Sequence, residues 1–515
     1  MELERLIAAL ADPACYPGAP PVKVMQTHAS VVFLAGDRAY KLKKPVNFGF
    51  LDYSTLARRR VMCLREVRLN QRLAPDVYLG VRPVVERDGV IALGGTGQLV
   101  DWLVEMRRLP DERCLRHLVV ERQVGEEEIR AIARRLAAFY AAPATARGAA
   151  RYGSIAAIRG NAEENFRQIV PFVGTALSAA AYEEIVATGR ALLRERHAIF
   201  EARRAAGKVR DGHGDLRCEH VYLLPEIAVV DCIEFNQRFR FGDQAGDLAF
   251  LAMDLEAHGR PDLAGALVAE FERAAEDDLS GVLDFFVAYR ACVRGKVAAL
   301  RAAEPEVGDE ERSWALVEAA RFFALARRVG RGDRAPRLIM ICGLTGVGKS
   351  VLAQAVGRIL GARVFEADET RKRLAGLEPT AHRDDALDDG LYAPAMNARV
   401  YAALLEGAAA ELAAGRTAIL DATYRRRADR AAAVALARKF GARLVVVECV
   451  ADDATCLARI ARRREDPGRH SDSRAEIYFA QRAAFEPLDE LPDRLTIDTR
   501  LPLARQALAV VEAAG

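Results

Sequence analysis

Cysteine is sparse and unpaired in this chain, with nine residues in 515 and no C-x-x-C pair. That spacing excludes a zinc ribbon and offers no disulfide framework, so a reducing compartment is expected. Long apolar runs are also missing. Stretches such as Leu444 to Val447 fall far short of the roughly 20 residues that a bilayer-spanning helix needs. Met1-Glu2-Leu3-Glu4-Arg5 has no basic segment leading into an apolar run, so no signal peptide is expected and the cytoplasm is the expected location. Neither sign of charge dominates: 75 Lys and Arg stand against 72 Asp and Glu, a net +3. Nucleic-acid binding by bulk charge is thereby excluded, and only local basic patches stay open. Disorder is excluded too, because hydrophobic residues make up 51%.

A chain of this length outgrows one hydrophobic core, so at least two domains are expected. From about Val22 to Leu109 the signals are strand-like. Val31 to Leu34, then Gly36-Asp37, then Ala39 to Leu42 read as a hairpin, and a helix capped by Ser54 carries Leu56, Val61, Leu64 and Leu69. From Asp111 to Val329 the pattern is helical and alanine-rich, interrupted by one short β insertion around 221–230. The polar, Gly-containing stretch from Val329 to Pro336 is the best linker. Beyond it strand and helix signals alternate, with strands at Leu338 to Cys342, Arg363 to Phe365, Thr417 to Leu420 and Arg443 to Cys449. Alternation of this kind predicts a parallel sheet covered by helices. The expected division is 1–333, with lobes at about 22–109 and 110–330, and 334–515.

Gly343-Leu-Thr-Gly-Val-Gly348-Lys349-Ser350 fits G-x-x-x-x-G-K-[ST] between an apolar strand and a helix, the context that this phosphate-binding loop requires. Gly343, Gly346 and Gly348 let backbone N–H groups curl around phosphates, and Lys349, Ser350 and Val351 open the helix. Lys349 is expected on the β- and γ-phosphates of ATP and the Ser350 hydroxyl on Mg²⁺. Asp421 ends an apolar strand with a carboxylate suited to the Mg²⁺ shell. Asp368 is placed to accept the proton of an attacking hydroxyl, with Arg371 three residues on to bind the acceptor. Arg459, Arg462, Arg463 and Arg464 precede Asp466-Pro467-Gly468, where a lid would set arginines on the transferred phosphoryl group, Arg463 foremost. Together these motifs resemble the small P-loop kinases, in the group that holds 5′-hydroxyl polynucleotide kinases, zeta toxins and chloramphenicol phosphotransferases. The resemblance covers about 337–515 and implies an α/β fold and ATP-dependent phosphorylation of a hydroxyl.

A second constellation lies upstream. His213-Gly214-Asp215-Leu-Arg-Cys-Glu-His220 precedes the short β insertion, and Asp231 and Glu234 follow it. Two carboxylates sixteen residues apart across a hairpin suit a base and a metal ligand, with residue 220 sharing the Mg²⁺. Arg38-Ala39-Tyr40-Lys41 resembles the V-A-I-K strand of kinases, with Glu66 on the next helix placed to pair with the lysine. With Asp243 to Ala249 as a D-x-x-x-D-L-A helix start, the ensemble resembles the aminoglycoside phosphotransferase family. The resemblance implies Asp215 as catalytic base, Asp231 as main Mg²⁺ ligand and Lys41 on the α- and β-phosphates. Two features depart from the family. His220 stands where its pattern H-G-D-x4-N has Asn, which opens the way to Mn²⁺. Thr27-His28-Ala29-Ser30 occupies the place of a Gly-rich loop. Lys43 shares the strand face of Lys41, so either lysine suits the phosphate contact.

The expected fold is therefore an α+β bilobal kinase-like N-terminal domain joined to an α/β P-loop parallel-sheet C-terminal domain. The expected function is a fused pair of kinases, each with its own ATP·Mg²⁺ site and a small-molecule or nucleotide-like hydroxyl acceptor. Nucleic acid is an open acceptor for the second half, and no membrane partner is expected. The rival expectation is a regulatory protein with a nucleotide-binding pseudokinase half and an ATPase switch.

Overall fold

The structure, a computed structural model, describes residues 2–142, 148–378, 389–464 and 474–515. The chain packs as two compact units. One comprises 1–158, 196–254 and 265–283; the other comprises 159–195, 255–264 and 284–515.

The first unit is built on a six-stranded antiparallel sheet. Its strands are β1 (Val22–Gln26), β2 (Ser30–Ala35), β3 (Arg38–Lys43), β4 (Tyr78–Arg87), β5 (Val90–Leu93) and β6 (Gln98–Arg107), in the order β1-β2-β3-β6-β4-β5. Gly36 and Asp37 close the β2–β3 hairpin in register Ala35↔Arg38, with Gly36 at φ +59. Alternation sorts β3 by face. Tyr40 and Leu42 join Val31, Phe33 and Leu103 in a core closed by Leu6 and Leu10 of the helix Leu3–Leu10. Ala39, Lys41 and Lys43 therefore point to the opposite face. Helix Leu56–Asn70 joins β3 to β4. Its cap is Thr55 rather than Ser54, since the Thr55 hydroxyl accepts from Arg58 N–H at 3.3 Å. No glycine-rich loop joins β1 to β2; the Thr27 N–H donates to Ser30 O at 2.9 Å and makes a tight turn.

The second unit holds a five-stranded parallel sheet in the order Arg363–Glu366, Ala418–Asp421, Arg337–Cys342, Arg443–Val450, Leu495–Asp498. The central strand reads Arg-Leu-Ile-Met-Ile-Cys and is buried along its whole length, as a parallel strand covered on both faces must be. Helices Lys349–Leu360 and Leu503–Ala514 cover one face. Helices Pro394–Ala413 and Arg427–Lys439 cover the other. Val317 and Ala320 of helix Asp309–Gly330 share the first of these cores with Val510 and Val511, so that helix belongs to the P-loop layer. In-register pairing of Ile341 with Asp421, and of Glu366 with Asp421, brings the ends of three strands to one edge, where open α/β sheets place their ligands. No described helix is long and apolar enough to cross a membrane.

Candidate active sites

In the first unit, Lys41 and Lys43 reach one carboxylate from the same strand face. Glu66, fully buried on helix Leu56–Asn70, binds Lys41 Nζ at 2.9 Å through Oε1 and Lys43 Nζ at 2.5 Å through Oε2. The two lysines then diverge. Lys41 continues to Asp231 Oδ1 at 2.7 Å, a carboxylate about half exposed at the cleft. Lys43 is buried and pairs with Glu234, which also accepts from the Tyr53 hydroxyl. Lys41 is thus the lysine that reaches the half-exposed Asp231, and Lys43 is the enclosed one. Burial works against the charge on Glu66, yet the two ammonium groups hold its pKa below the ordinary glutamate value. The Lys41 ammonium, ahead of every other influence, holds Asp231 far below the ordinary carboxylate range.

Asp231 sits at φ +63, a left-handed conformation that a non-glycine residue keeps only when its surroundings enforce it. Here its N–H donates to the Tyr78 hydroxyl at 3.1 Å, and the next N–H, of Cys232, donates to Asn70 Oδ1 at 2.8 Å. The ribbon of Val221–Tyr222 and Ala228–Val229 brings His220 back beside Asp231. Its imidazole lies between the two residues: Nδ1 is 2.8 Å from the Asp215 carbonyl oxygen and Nε2 is 3.7 Å from Asp231 Oδ2. Asp247 fixes the loop that carries Asp215, accepting from His213 N–H at 2.5 Å, Gly214 N–H at 2.9 Å and the Tyr140 hydroxyl at 2.8 Å. Burial pushes the His213 pKa down to about 4, so the ring is neutral, and its Nε2 lies 2.9 Å from the Val230 carbonyl. The fold thus gathers Lys41, Glu66, Asp215, His220 and Asp231. It adds Arg217, whose guanidinium grips both oxygens of Asp215 at 2.8 Å.

In the second unit the phosphate loop has the shape its glycines require. Gly343 is at φ +140 and Gly346 at φ +76; a Cβ on Gly343 would lie 2.6 Å from the Cys449 carbonyl oxygen, and one on Gly346 2.9 Å from that of Cys456. Gly348 caps helix Lys349–Leu360. Lys349 Nζ donates to Leu344 O at 3.0 Å, folded over its own loop. A cleft of about 430 Å³ is lined by Thr345, Lys349, Ser350, Glu366, Asp368 and Asp421. Backbone that a Cβ would fill, one lysine, the Ser350 hydroxyl and the carboxylates of Asp421, Glu366 and Asp368 form a donor set that fits a nucleotide phosphate with Mg²⁺. Val351 stands in the first helical turn with its side chain half exposed, away from that cleft. A second cleft of about 700 Å³ adjoins the first and shares Ala367, Asp368, Tyr392, Thr423 and Gln481 with it. Asp368 therefore stands on the common wall. Arg371 in the second cleft donates to Asp368 Oδ1 at 2.6 Å and to Asn397 Oδ1 at 3.2 Å, with its guanidinium 4.6 Å from the Tyr392 ring centroid.

The arginine lid is corrected in part. Arg459 donates to Val347 O and to Thr499 Oγ1 and O, each at 2.8 Å, so it ties the phosphate loop to the end of strand Leu495–Asp498. Arg462 is exposed on the same helix, and the side chain of Arg463 lies outside the described residues. Glu366 is a site residue that motif reading missed. Burial, reinforced by the nearby charges of Asp421, Asp368 and Glu369, pushes its pKa up to about 7. Its only sequence signal is a carboxylate at the end of a short strand.

A family described as an AAA domain matches residues 338–488. The uncharacterized protein Rv2004c of Mycobacterium tuberculosis is 34% identical over 463 residues, covering 90% of this chain and 89% of the relative. Among solved structures, a gluconokinase from Sinorhizobium meliloti matches 34% of this chain and 91% of its own at 18% identity and a TM-score of 0.26. An aminoglycoside 2′-phosphotransferase in complex with GDP matches 59% of this chain and 92% of its own at 13% identity and a TM-score of 0.35.

Proposed function

The chain belongs to the family of the mycobacterial protein Rv2004c, and we propose that it is a bifunctional ATP-dependent phosphotransferase with two separate nucleotide sites. Both halves are kinase-like. The observation that carries the proposal is the repetition of one chemical set in two places: a lysine over a phosphate position, carboxylates for a divalent cation, and an acid on the acceptor side. In the first unit these are Lys41, Asp231 with His220, and Asp215. In the second they are Lys349, Asp421 with Ser350, and Asp368.

ATP with Mg²⁺, when bound, supplies a charge-neutralised triphosphate whose γ-phosphorus is open to in-line attack. Lys41 holds its ammonium at the cleft because Glu66 fixes it from below. Asp215 is the group to take the proton of a small-molecule hydroxyl once Arg217 turns from it, and Asp247 keeps the Asp215 backbone in place meanwhile. In the second unit the loop N–H groups and Lys349 receive phosphate oxygens. Asp368, standing between the two clefts, takes the proton of an acceptor lying against Arg371 and Tyr392.

Radiolabelled γ-phosphoryl ATP, offered with small alcohols, nucleosides, aminoglycosides and 5′-hydroxyl oligonucleotides, tests the reading. Asp215→Ala and Lys349→Ala each remove one transfer and spare the other. Full transfer by both variants overturns the assignment. If oligonucleotides accept phosphate, their binding falls steeply with salt.

The ion pair of Arg217 with Asp215 favours a second reading, in which the first unit senses nucleotide without transferring phosphate. Calorimetry then records nucleotide binding that Asp231→Asn weakens, with no turnover of any acceptor at that site.

A further inference from the structure

The first unit carries His220 at the position beside its metal-binding aspartate, and the ring's hydrogen bonding decides what it offers. His220 Nδ1 lies 2.8 Å from the Asp215 carbonyl oxygen, which can only accept. Nδ1 is therefore the donor of that contact, and Nε2 is the ring nitrogen turned the other way. Nε2 faces Asp231 Oδ2 at 3.7 Å and Glu219 Oε1 at 3.8 Å. These separations are too long for hydrogen bonds and leave room for a cation between the ring nitrogen and the carboxylate. A cation between Nε2 and Oδ2 satisfies both. Lys41 occupies the other oxygen of Asp231, Oδ1, so Oδ2 is the one turned to the ring. Arg217 holds the Glu219 oxygen, which leaves His220 and Asp231 as the pair.

We infer that His220 Nε2 and the Asp231 carboxylate form a mixed nitrogen–oxygen site that prefers a first-row transition cation, with Mn²⁺ as its probe, over Mg²⁺. The inference rests on the reading of this cleft as a phosphotransferase site. Mg²⁺ demands oxygen ligands and keeps its waters, whereas imidazole nitrogen suits the first-row transition ions. A residue offering an amide oxygen at position 220 removes that discrimination. Fixing the Nε2 lone pair by a backbone carbonyl also orients the ring before the metal arrives, as metal-ligating histidines require.

The test uses the full chain carrying Lys349→Ala, so that the phosphate loop contributes little, with ADP present. Mn²⁺ binding is read from its paramagnetic resonance signal, and Mg²⁺ by competition. Mn²⁺ is expected to bind at least about tenfold more tightly than Mg²⁺, and its spin-echo modulation is expected to show a directly bound nitrogen. His220→Asn removes that nitrogen coupling and lowers Mn²⁺ affinity about tenfold while leaving Mg²⁺ affinity nearly unchanged. The unaltered His220 chain is decisive even where the variant fails to fold: bound Mn²⁺ without nitrogen coupling overturns the inference. Equal Mn²⁺-to-Mg²⁺ ratios in both proteins overturn it as well. Asp231→Asn separates the two failures. If Asp231 is needed and His220 is not, the phosphotransferase reading stands and only the cation preference falls. If neither substitution changes divalent binding, both fall.

Discussion

Arg217 donates from Nε and Nη2 to the two carboxylate oxygens of Asp215, each at 2.8 Å, across a span of only two residues. Asp215 also keeps its backbone carbonyl engaged with His220, so its side chain and its main chain answer to different partners. A bidentate guanidinium is the strongest hold available to a carboxylate, and a base so held accepts no substrate proton. In the proposed reaction, turnover requires Arg217 to exchange Asp215 for another anion, and an incoming phosphate is the suitable one. Arg217→Met is expected to lower kcat at the first site by about a hundredfold or more, with a smaller change in the KM for ATP. Steady-state kinetics of the separated activities check this. A variant faster than the parent identifies the pair as a lock and supports the regulatory reading instead.

Lys41 and Lys43 make an internally controlled comparison. Both contact Glu66, but only Lys43 is enclosed, with Glu66 and Glu234 buried around it. Lys43→Met leaves two buried carboxylates sharing fewer positive partners, and removal of one member of such a group costs about 3–5 kcal/mol. Lys41→Met takes one of Glu66's two partners but leaves Lys43 in place between Glu66 and Glu234. Denaturant unfolding is expected to show the large loss only for Lys43→Met, whereas phosphotransfer at the first site disappears in Lys41→Met although its fold persists. Equal stability losses in the two variants contradict the separation of roles.

His213 gives the first unit a defined acid sensitivity. Its folded pKa is about 4, depressed by burial, against 6.5 for an unburied imidazole. The unfolded chain thus binds the extra proton between these values. The stability tied to the neutral ring is complete above pH 6.5 and is lost as pH falls toward 4. A shift of this size corresponds to about 3 kcal/mol. Urea unfolding at several pH values between 7 and 4 is expected to show a shallower decline in His213→Gln than in the parent. Carboxylates add their own slope to both proteins, so the difference between the two curves isolates the imidazole. Parallel curves contradict the assignment.

The parts of these sites that were legible in the sequence are those whose partners lie close along the chain or obey a strict spacing. Gly343 to Ser350 is one such run, and Asp215 with Asp231 across a very short ribbon is another. Alternation alone does not separate Lys41 from Lys43, because residues two apart share a strand face, and only the kinase-like motif favours Lys41; Glu234 and Asp231, almost two hundred positions away, separate them. The partners of Arg459 are illegible for a related reason. A run of arginines on a helix carries no sign of its partners, and those partners, Val347 and Thr499, lie 112 and 40 residues distant. The sheet's fifth strand, Leu495–Asp498, is four residues long at an edge, too short for alternation to reveal. Ser54 and Thr55 offer the same cap chemistry, and only the backbone turn chooses Thr55.

Nucleotide stoichiometry tests the two-site reading without any acceptor. The Gly343 backbone is at φ +140, and an added Cβ would stand 2.6 Å from the Cys449 carbonyl oxygen, a backbone atom of the neighbouring strand Arg443–Val450. Neither the strain nor the collision is relieved by a side-chain rotation, so Gly343→Ala must displace the loop from the phosphate position. The Lys41 site depends on none of these atoms. Calorimetry with ADP and a divalent cation is therefore expected to give two equivalents per parent chain and one for Gly343→Ala. Asp231→Asn in the Gly343→Ala background is expected to weaken the remaining equivalent by tenfold or more, since the carboxylate that meets the cation is gone. One equivalent in the parent, abolished by Gly343→Ala, would leave the first unit without a nucleotide and overturn the bifunctional proposal.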